Sequence, residues 1–381
     1  MKKILKLLLV LPVLFTCGFA QAASYRAALV ADMDSGRVLY SENANVANYP
    51  ASLTKIMTLY LTFNALEHGR LHLDDYLIVS NAAAAADPVK LGLPAGSKIK
   101  VEDAIKAVAV HSANDVARVL AENLKGGKEG NFASLMTQVA TEIGLSNTNF
   151  ENSSGLPDDD HLSTARDIAL LSIAVYKHFP QYWKYFGIKS WNYNGQTYTN
   201  GNRLLTSYEG CDGMKTGFTN KSKYSLVATA ARDGHHLIAV VLGADDKDIR
   251  ASVATSLLNR GFKMLENGTA PVVVNTQPTP VQGYTAKPIN ENNALAKYAT
   301  NTNKQTKLPS GSAGVQFGAF SSRDAALRQV KNVEQLLHVT PMIEMASGGL
   351  YRVRVNNISE NAAQSLRNSA TAAGIDNYVF H

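Results

Sequence analysis

Along residues 26–40 hydrophobic and polar positions alternate, and the alternation breaks at Asp34-Ser35-Gly36, which predicts a β-hairpin. From Lys55 to Glu67 the period changes: Ile56, Leu59, Tyr60, Phe63 and Leu66 recur at helical spacing, and Gly69 is a natural stop. Two further helical pieces, VEDAIKAVAV and DVARVLAENL, are predicted within 101–124 and part at HSAN. Helical patterns return at 131–143, 164–178 and 246–265. YSLVATAA at 224–231 and HHLIAVVL at 235–242 read as strands joined at Asp233-Gly234, a strong hairpin signal. Strands at both ends with helices between them predict an α+β fold, an antiparallel sheet with an inserted helical region.

The pattern then fades. Residues 267–310 are rich in Asn, Thr, Pro and Ala, without periodicity, and are expected to be a flexible linker after a first domain at 23–266. Order returns in a small module at 311–381. VQFGAF is a strand, Ser321-x-x-Asp324 a helix start, and a helix reaches Leu337. Strands at 341–346 and 350–356 flank Ser347-Gly348-Gly349, a helix fits 359–373, and a last strand fits 377–380, giving the order βαββαβ.

Composition narrows the classes. The chain has 381 residues, 45% hydrophobic and 18% charged, enough for two folded domains. The net charge of +6 is spread along the chain rather than clustered, which argues against nucleic-acid binding and suits contact with an anionic polymer. Lys2, Lys3 and Lys6, an apolar run from Leu7 to Phe15, and Ala20-Gln21-Ala22 form the pattern of a secretory signal peptide over 1–22. Cys17 would leave with it, so Cys211 could form no internal disulfide and is expected to be a packing residue.

The candidate chemistry starts at PASLTK, residues 50–55. Ser52 and Lys55 are three apart at a helix start and would face one cavity. A neutral lysine there could take the serine proton, and burial at the positive end of a helix favours that neutral form. A second Ser-x-x-Lys string, Ser97 to Lys100, lies in a polar alternating context and reads as surface. Ser112-Ala113-Asn114 breaks two helices, which would let its side chains project into a cleft. Lys215-Thr216-Gly217 combines a lysine, a hydroxyl and a glycine that admits close approach of a ligand, a set suited to a carboxylate. This ordered trio is the signature of penicillin-binding proteins and class A β-lactamases, with Ser-Ala-Asn here where Ser-Asp-Asn is usual.

Residues 25–265 resemble the low-molecular-mass penicillin-binding proteins, the serine D-Ala-D-Ala carboxypeptidases, through YPASLTKIMT, HSANDVA, FENSSGLPDDDHLSTARD and TNGNRLLTSYEGCDGMKTGFTNKS. The resemblance implies the β-lactamase-like fold and a mechanism. Ser52 would attack the penultimate D-Ala carbonyl with Lys55 as base. Ser112 would relay a proton to the leaving D-alanine, and Asn114 would hold the substrate amide. Lys215, Thr216 and Gly217 would receive the terminal carboxylate, supported by Arg250. The backbone N–H groups of Ser52 and Phe218 would form the oxyanion hole. No cofactor and no metal are implied, and β-lactams would acylate Ser52. His111 is set aside as a catalytic histidine, and Asp158-Asp159-Asp160 is read as a solvated turn.

Residues 314–380 look like a SPOR domain, which implies binding to peptidoglycan glycan strands. Gln316, Arg352 and Arg354 are the candidate contacts, on the sheet face opposite Tyr351, Val353 and Val355. Together the resemblances imply a periplasmic enzyme acting on peptidoglycan stem peptides, open to enrichment at the division septum and without a C-terminal membrane anchor. The alternative is a D,D-endopeptidase that cuts crosslinks. A β-lactamase would need a dedicated carboxylate for its water, for which Glu151 is the nearest thought. A non-catalytic wall-binding protein is the rival from another class.

Overall fold

The structure, a computed structural model, describes residues 24–274 and, further on, 313–320, 323–337, 339, 341–345, 350–358, 360–373, 375 and 377–380. The expected leader with Cys17, most of the expected linker, Ser321 and the Ser347-Gly348-Gly349 turn lie outside the described residues. The chain divides into two compact units, residues 1–302 and 303–381.

In the first unit, β1 (Ala27–Asp32) and β2 (Val38–Glu42) form the predicted hairpin. A 3-10 turn at Ala51–Thr54 leads straight into α1 (Lys55–Glu67). The inserted helical region follows. Here β3 (Tyr76–Ile78) pairs with β4 (Lys98–Lys100), so the second Ser-x-x-Lys string belongs to a small two-stranded ribbon. Next come α2 (Val101–Lys106), extended by a wide turn at Ala107–His111, then α3 (Asn114–Leu124), α4 (Glu129–Glu142) and α5 (Ala165–His178). The ribbon of β5 (Ser190–Tyr193) and β6 (Gln196–Thr199) precedes a return to the main sheet. There β7 (Cys211–Thr219), β8 (Lys223–Arg232) and β9 (His235–Ala244) run antiparallel, and α6 (Lys247–Glu266) closes the predicted set.

One boundary differs from the sequence reading. The chain does not leave the unit at residue 267: β10 (Val272–Val274) adds to the sheet, parallel to β2. Three consecutive valines suit an extended strand, and the Pro, Asn and Thr around them hid that short run. The sheet order is β10-β2-β1-β9-β8-β7. Every residue of β1 is buried, because the sheet is covered on both faces. Leu226, Leu237, Val241 and Leu258 pack on the α6 side, while Leu29, Val227, Val240 and the helical region form the larger core on the other. The edge strand β7 is left beside the turn that carries Ser52.

The second unit is a four-stranded antiparallel sheet of β11 (Ala313–Phe320), β12 (Met342–Met345), β13 (Tyr351–Ile358) and β14 (Tyr378–Phe380), ordered β12-β13-β11-β14. Helices Arg323–Leu337 and Glu360–Ala372 complete the βαββαβ order. Val315, Phe317, Tyr351 and Val353 share its core with Ala326, Val333, Ala363 and Ala370 of the helices. Among the described residues no helix is long and apolar enough to cross a membrane.

Candidate active site

Ser52 lies in the 3-10 turn, not in the α-helix itself, and Lys55 is the first residue of α1. The turn is forced close to a second segment. Gly155 has φ +82°, and a Cβ there would stand 1.8 Å from the Ala51 carbonyl oxygen, so only glycine admits the approach. Below the turn, Thr54 Oγ1 lies 2.8 Å from His161 Nε2. His161 Nδ1 accepts the Glu151 N–H at 3.3 Å, so the proton is on Nε2, which donates to Thr54. Burial, reinforced by the nearby Lys55, pulls the His161 pKa down to about 4.

Lys55 is fully buried, and its Nζ has three neighbours. Ser52 Oγ is at 3.0 Å, Asn114 Oδ1 at 2.7 Å and the Ser154 carbonyl at 2.7 Å. Asn114 is oriented by its own Nδ2, which donates to the Asp87 carbonyl at 3.0 Å. Burial, then the charge of Lys215, holds the Lys55 amine well below the usual lysine pKa; Glu129 and Asp115 oppose this. A neutral amine has two N–H donors and one lone pair. In that neutral form the carbonyl-type oxygens of Asn114 and Ser154 would take both donors, and the lone pair would be left for the Ser52 hydroxyl proton.

Ser112 follows the wide turn at φ +66°, a left-handed conformation unusual for a residue with a side chain. Its Oγ is buried and hydrogen-bonds to no atom of the described residues. Asn114 then opens α3, so the two predicted helical pieces break where the sequence places the motif. The Asp115 carboxylate accepts the N–H groups of Leu91 and Gly92 at 3.1 and 3.0 Å, strapping the 87–92 loop to this corner.

Lys215 is buried on β7, and its Nζ donates to the Thr216 carbonyl at 3.2 Å. Desolvation, then the charge of Arg250, lowers its pKa to about 7. Arg250, on α6, is itself buried at 8% exposure; Nη1 donates to the Ser225 carbonyl at 3.3 Å, while Nε has no protein partner. Thr216 is half-buried. A Cβ on Gly217 would sit 3.1 Å from the Pro50 carbonyl and 3.3 Å from the Ser52 nitrogen, so β7 runs hard against the Ser52 turn. Phe218 follows with its ring exposed, 4.4 Å from that of Tyr224. Lys55 thus meets Ser52 and Asn114 directly, Gly217 brings β7 against the Ser52 turn, and Lys215 bears electrostatically on Lys55 as Arg250 does on Lys215.

The residues set aside also have clear settings. His111 packs its ring 4.5 Å from Tyr198 and meets the Lys90 carbonyl through Nε2. Burial pushes the Cys211 thiol up to about 11, and its Sγ donates to the Gly213 carbonyl at 3.4 Å. Asp158, Asp159 and Asp160 are exposed, and Asp159 pairs with Lys221. Among the described residues no group of three or more His, Cys, Asp or Glu side chains is placed to hold a metal ion.

In the second unit the sheet face carrying Gln316 is less open than expected. Gln316 is only 6% exposed, and its Oε1 accepts from Arg354 Nε at 2.7 Å and from the Tyr378 hydroxyl at 3.1 Å. Arg354 also meets Glu344 at 3.1 Å and lies over the Phe380 ring. Arg352 is half-buried beside them on β13. The strand pattern alone placed Gln316 and Arg354 on one face but could not show that they satisfy each other.

Comparison with known proteins identifies a family and a fold. The D-alanyl-D-alanine carboxypeptidase family matches residues 18–246, and the SPOR domain matches 309–380. The chain is 35% identical to the D-alanyl-D-alanine carboxypeptidase DacF of Bacillus subtilis over 63% of this chain and 63% of that protein. It is 38% identical to DacC of Escherichia coli over 66% of this chain and 64% of that protein. The match thus spans a little under two thirds of these relatives. Among solved structures, penicillin binding protein 5 from Haemophilus influenzae superposes with a TM-score of 0.61 and 33% identity, covering 63% of this chain and 71% of that one. Penicillin-Binding Protein D2 from Listeria monocytogenes in the ampicillin-bound form gives 0.58 and 32% identity, over 63% and 98%.

Proposed function

The chain belongs to the D-alanyl-D-alanine carboxypeptidase family, and from that premise we propose that it is an exported, periplasmic serine carboxypeptidase that removes the terminal D-alanine from peptidoglycan stem pentapeptides. The observation that supports this reading is the placement of Lys55 Nζ, 2.7 Å from Asn114 Oδ1, 2.7 Å from the Ser154 carbonyl and 3.0 Å from Ser52 Oγ, so that a neutral amine spends both N–H groups on the first two and turns its lone pair to the serine. Ser52 Oγ forms a bond to the penultimate D-Ala carbonyl carbon as its proton passes to Lys55 Nζ. The oxyanion is met by the backbone N–H groups of Ser52 and Phe218, each worth about 3–4 kcal/mol in related acyl-transfer sites. The C–N bond then breaks as Ser112 Oγ hands its proton to the departing amine and takes in return the proton held by Lys55 Nζ, which leaves that amine neutral again. Water cleaves the resulting ester and frees Ser52.

Lys215, Thr216 and Arg250 receive the terminal carboxylate. An arriving anion favours the charged form of Lys215, so binding draws a proton onto that amine. A β-lactam carries the same carboxylate and acyl carbon, and acylates Ser52. The SPOR module holds glycan strands through the surface around Arg352 and Arg354, which keeps the enzyme on its substrate polymer and allows enrichment at the septum.

The test is product analysis by mass on purified muropeptides. Loss of one D-alanine from pentapeptides is the expected result, and cleavage of crosslinked dimers instead would make the protein an endopeptidase. Ser52→Ala is expected to abolish covalent labelling by fluorescent penicillin; labelling that persists would move the nucleophile elsewhere.

A further inference from the structure

The Ser154 carbonyl, which takes one N–H of Lys55, belongs to a loop with its own supports. Asn152 Oδ1 accepts the N–H groups of Ser154, Gly155 and Leu156 at 3.2, 2.7 and 3.1 Å. Ser153 is held from the other side. Glu129 Oε1 accepts its N–H at 3.0 Å and its hydroxyl at 2.5 Å, and the Ser153 carbonyl accepts the Thr58 hydroxyl of α1 at 2.6 Å. Glu129 opens α4, its side chain 15% exposed, and its Oε2 lies 3.3 Å from Arg118 Nη1 on α3. Arg118 keeps a second partner in Glu122.

We propose that Glu129 is a positioning residue for the Ser52–Lys55 pair: by fixing Ser153 it fixes the Ser154 carbonyl, which in turn aims the lysine lone pair at the serine hydroxyl. The proposal deepens the carboxypeptidase reading and rests on it. If the Ser154 carbonyl drifts, a buried N–H of Lys55 loses its acceptor. That N–H can then turn to Ser52 Oγ, where a donor has the wrong polarity to remove a proton.

Glu129 also acts through its charge, with the opposite sign. The charged groups that bear on Lys55 are Lys215 from β7, which lowers its pKa after burial has done so, and Glu129 from α4 and Asp115 from α3, which raise it. His161, buried beneath the turn, is neutral at neutral pH. Removing only the charge of Glu129 favours the neutral amine; removing its hydrogen bonds misaligns that amine.

The experiment measures the second-order rate of acylation by fluorescent penicillin for the full-length protein, Glu129→Gln and Glu129→Ala, from about pH 5 to about pH 9. Glu129→Gln keeps an acceptor for Ser153 without the charge. Its rate is expected to stay within about threefold of wild type, with the rising limb of the profile moved to lower pH. Glu129→Ala is expected to lose roughly tenfold or more, equivalent to about 1.4 kcal/mol, at every pH. A Glu129→Ala profile that matches wild type overturns the proposal. So does a Glu129→Gln rate as low as that of Glu129→Ala, which would assign the effect to the Arg118 ion pair. Should Glu129→Ala fail to fold by circular dichroism, Ser153→Ala takes its place, with slower acylation at an unchanged melting temperature expected and wild-type acylation overturning. If wild-type protein is not labelled at Ser52 at all, the carboxypeptidase reading itself fails and the positioning role falls with it.

Discussion

The wall of the fold that carries Lys55, at the start of α1, and the wall that carries Lys215, on β7, bury their lysines alike and surround them differently. On the first wall the amine meets two fixed acceptors and one hydroxyl, all from the protein. On the second, the amine reaches only back to its neighbour's carbonyl, and its charged companion is another cation, Arg250. Burial lowers both pKa values, and a like charge lowers each further. The outcome differs because the partners differ. Where acceptors already consume the N–H groups, a depressed lysine is a base. Where cationic donors gather with few acceptors, as around Lys215, our proposal makes the lysine a receptor for an anion that restores its proton. Depth of burial alone would have assigned both lysines the same role.

Substitution of Lys55 tests that contrast most severely. Lys55→Met retains much of the packing volume and removes the base, so acylation by fluorescent penicillin is expected to fall by roughly 10²–10⁴-fold. A rate close to wild type would take Lys55 out of the chemistry. Lys215→Met removes the receptor instead. The kcat/KM for peptides ending in D-Ala-D-Ala is expected to fall by roughly 10–100-fold, in line with a charge-assisted hydrogen bond of about 1.5–3 kcal/mol. Most of that loss should appear in KM; a loss confined to kcat would make Lys215 part of the bond-making step.

The last test reads stability rather than rate. The folded pKa of Lys215, about 7, lies below the unfolded value of about 10.4. Between those values the unfolded chain binds more protons, so stability rises with pH across that window. The denaturation midpoint should therefore climb less steeply between about pH 7 and about pH 10 in Lys215→Met than in wild type. Equal slopes would mean that Lys215 is an ordinary ammonium in the folded protein.

Much of this cleft was readable from local pattern. Ser52 and Lys55 are three residues apart, and the Ser112 motif interrupts two helical periods, so both announce themselves in short windows. Lys215-Thr216-Gly217 sits on a strand that pairs antiparallel with the β-like run at 224–231. What stayed hidden acts across long separations. Glu129 reaches Ser153 over 24 residues and His161 reaches Thr54 over 107, and no short window announces either pairing. Asp115 reads simply as an acidic first-turn residue of a helix, although its carboxylate straps down the 87–92 loop. Gly155 reads as a turn glycine, and only the approach of the Ala51 carbonyl shows why a side chain is forbidden there. In the second unit, alternation told which residues share a face but not that Gln316 would be capped by Arg354 and Tyr378.

The backbone at Ser112 has a consequence for anyone who breeds this protein for robustness. A left-handed residue bearing a side chain costs of order 1–3 kcal/mol that glycine would not incur. Selection for heat tolerance without a demand for turnover should therefore drift that codon toward glycine, discarding the hydroxyl as it goes.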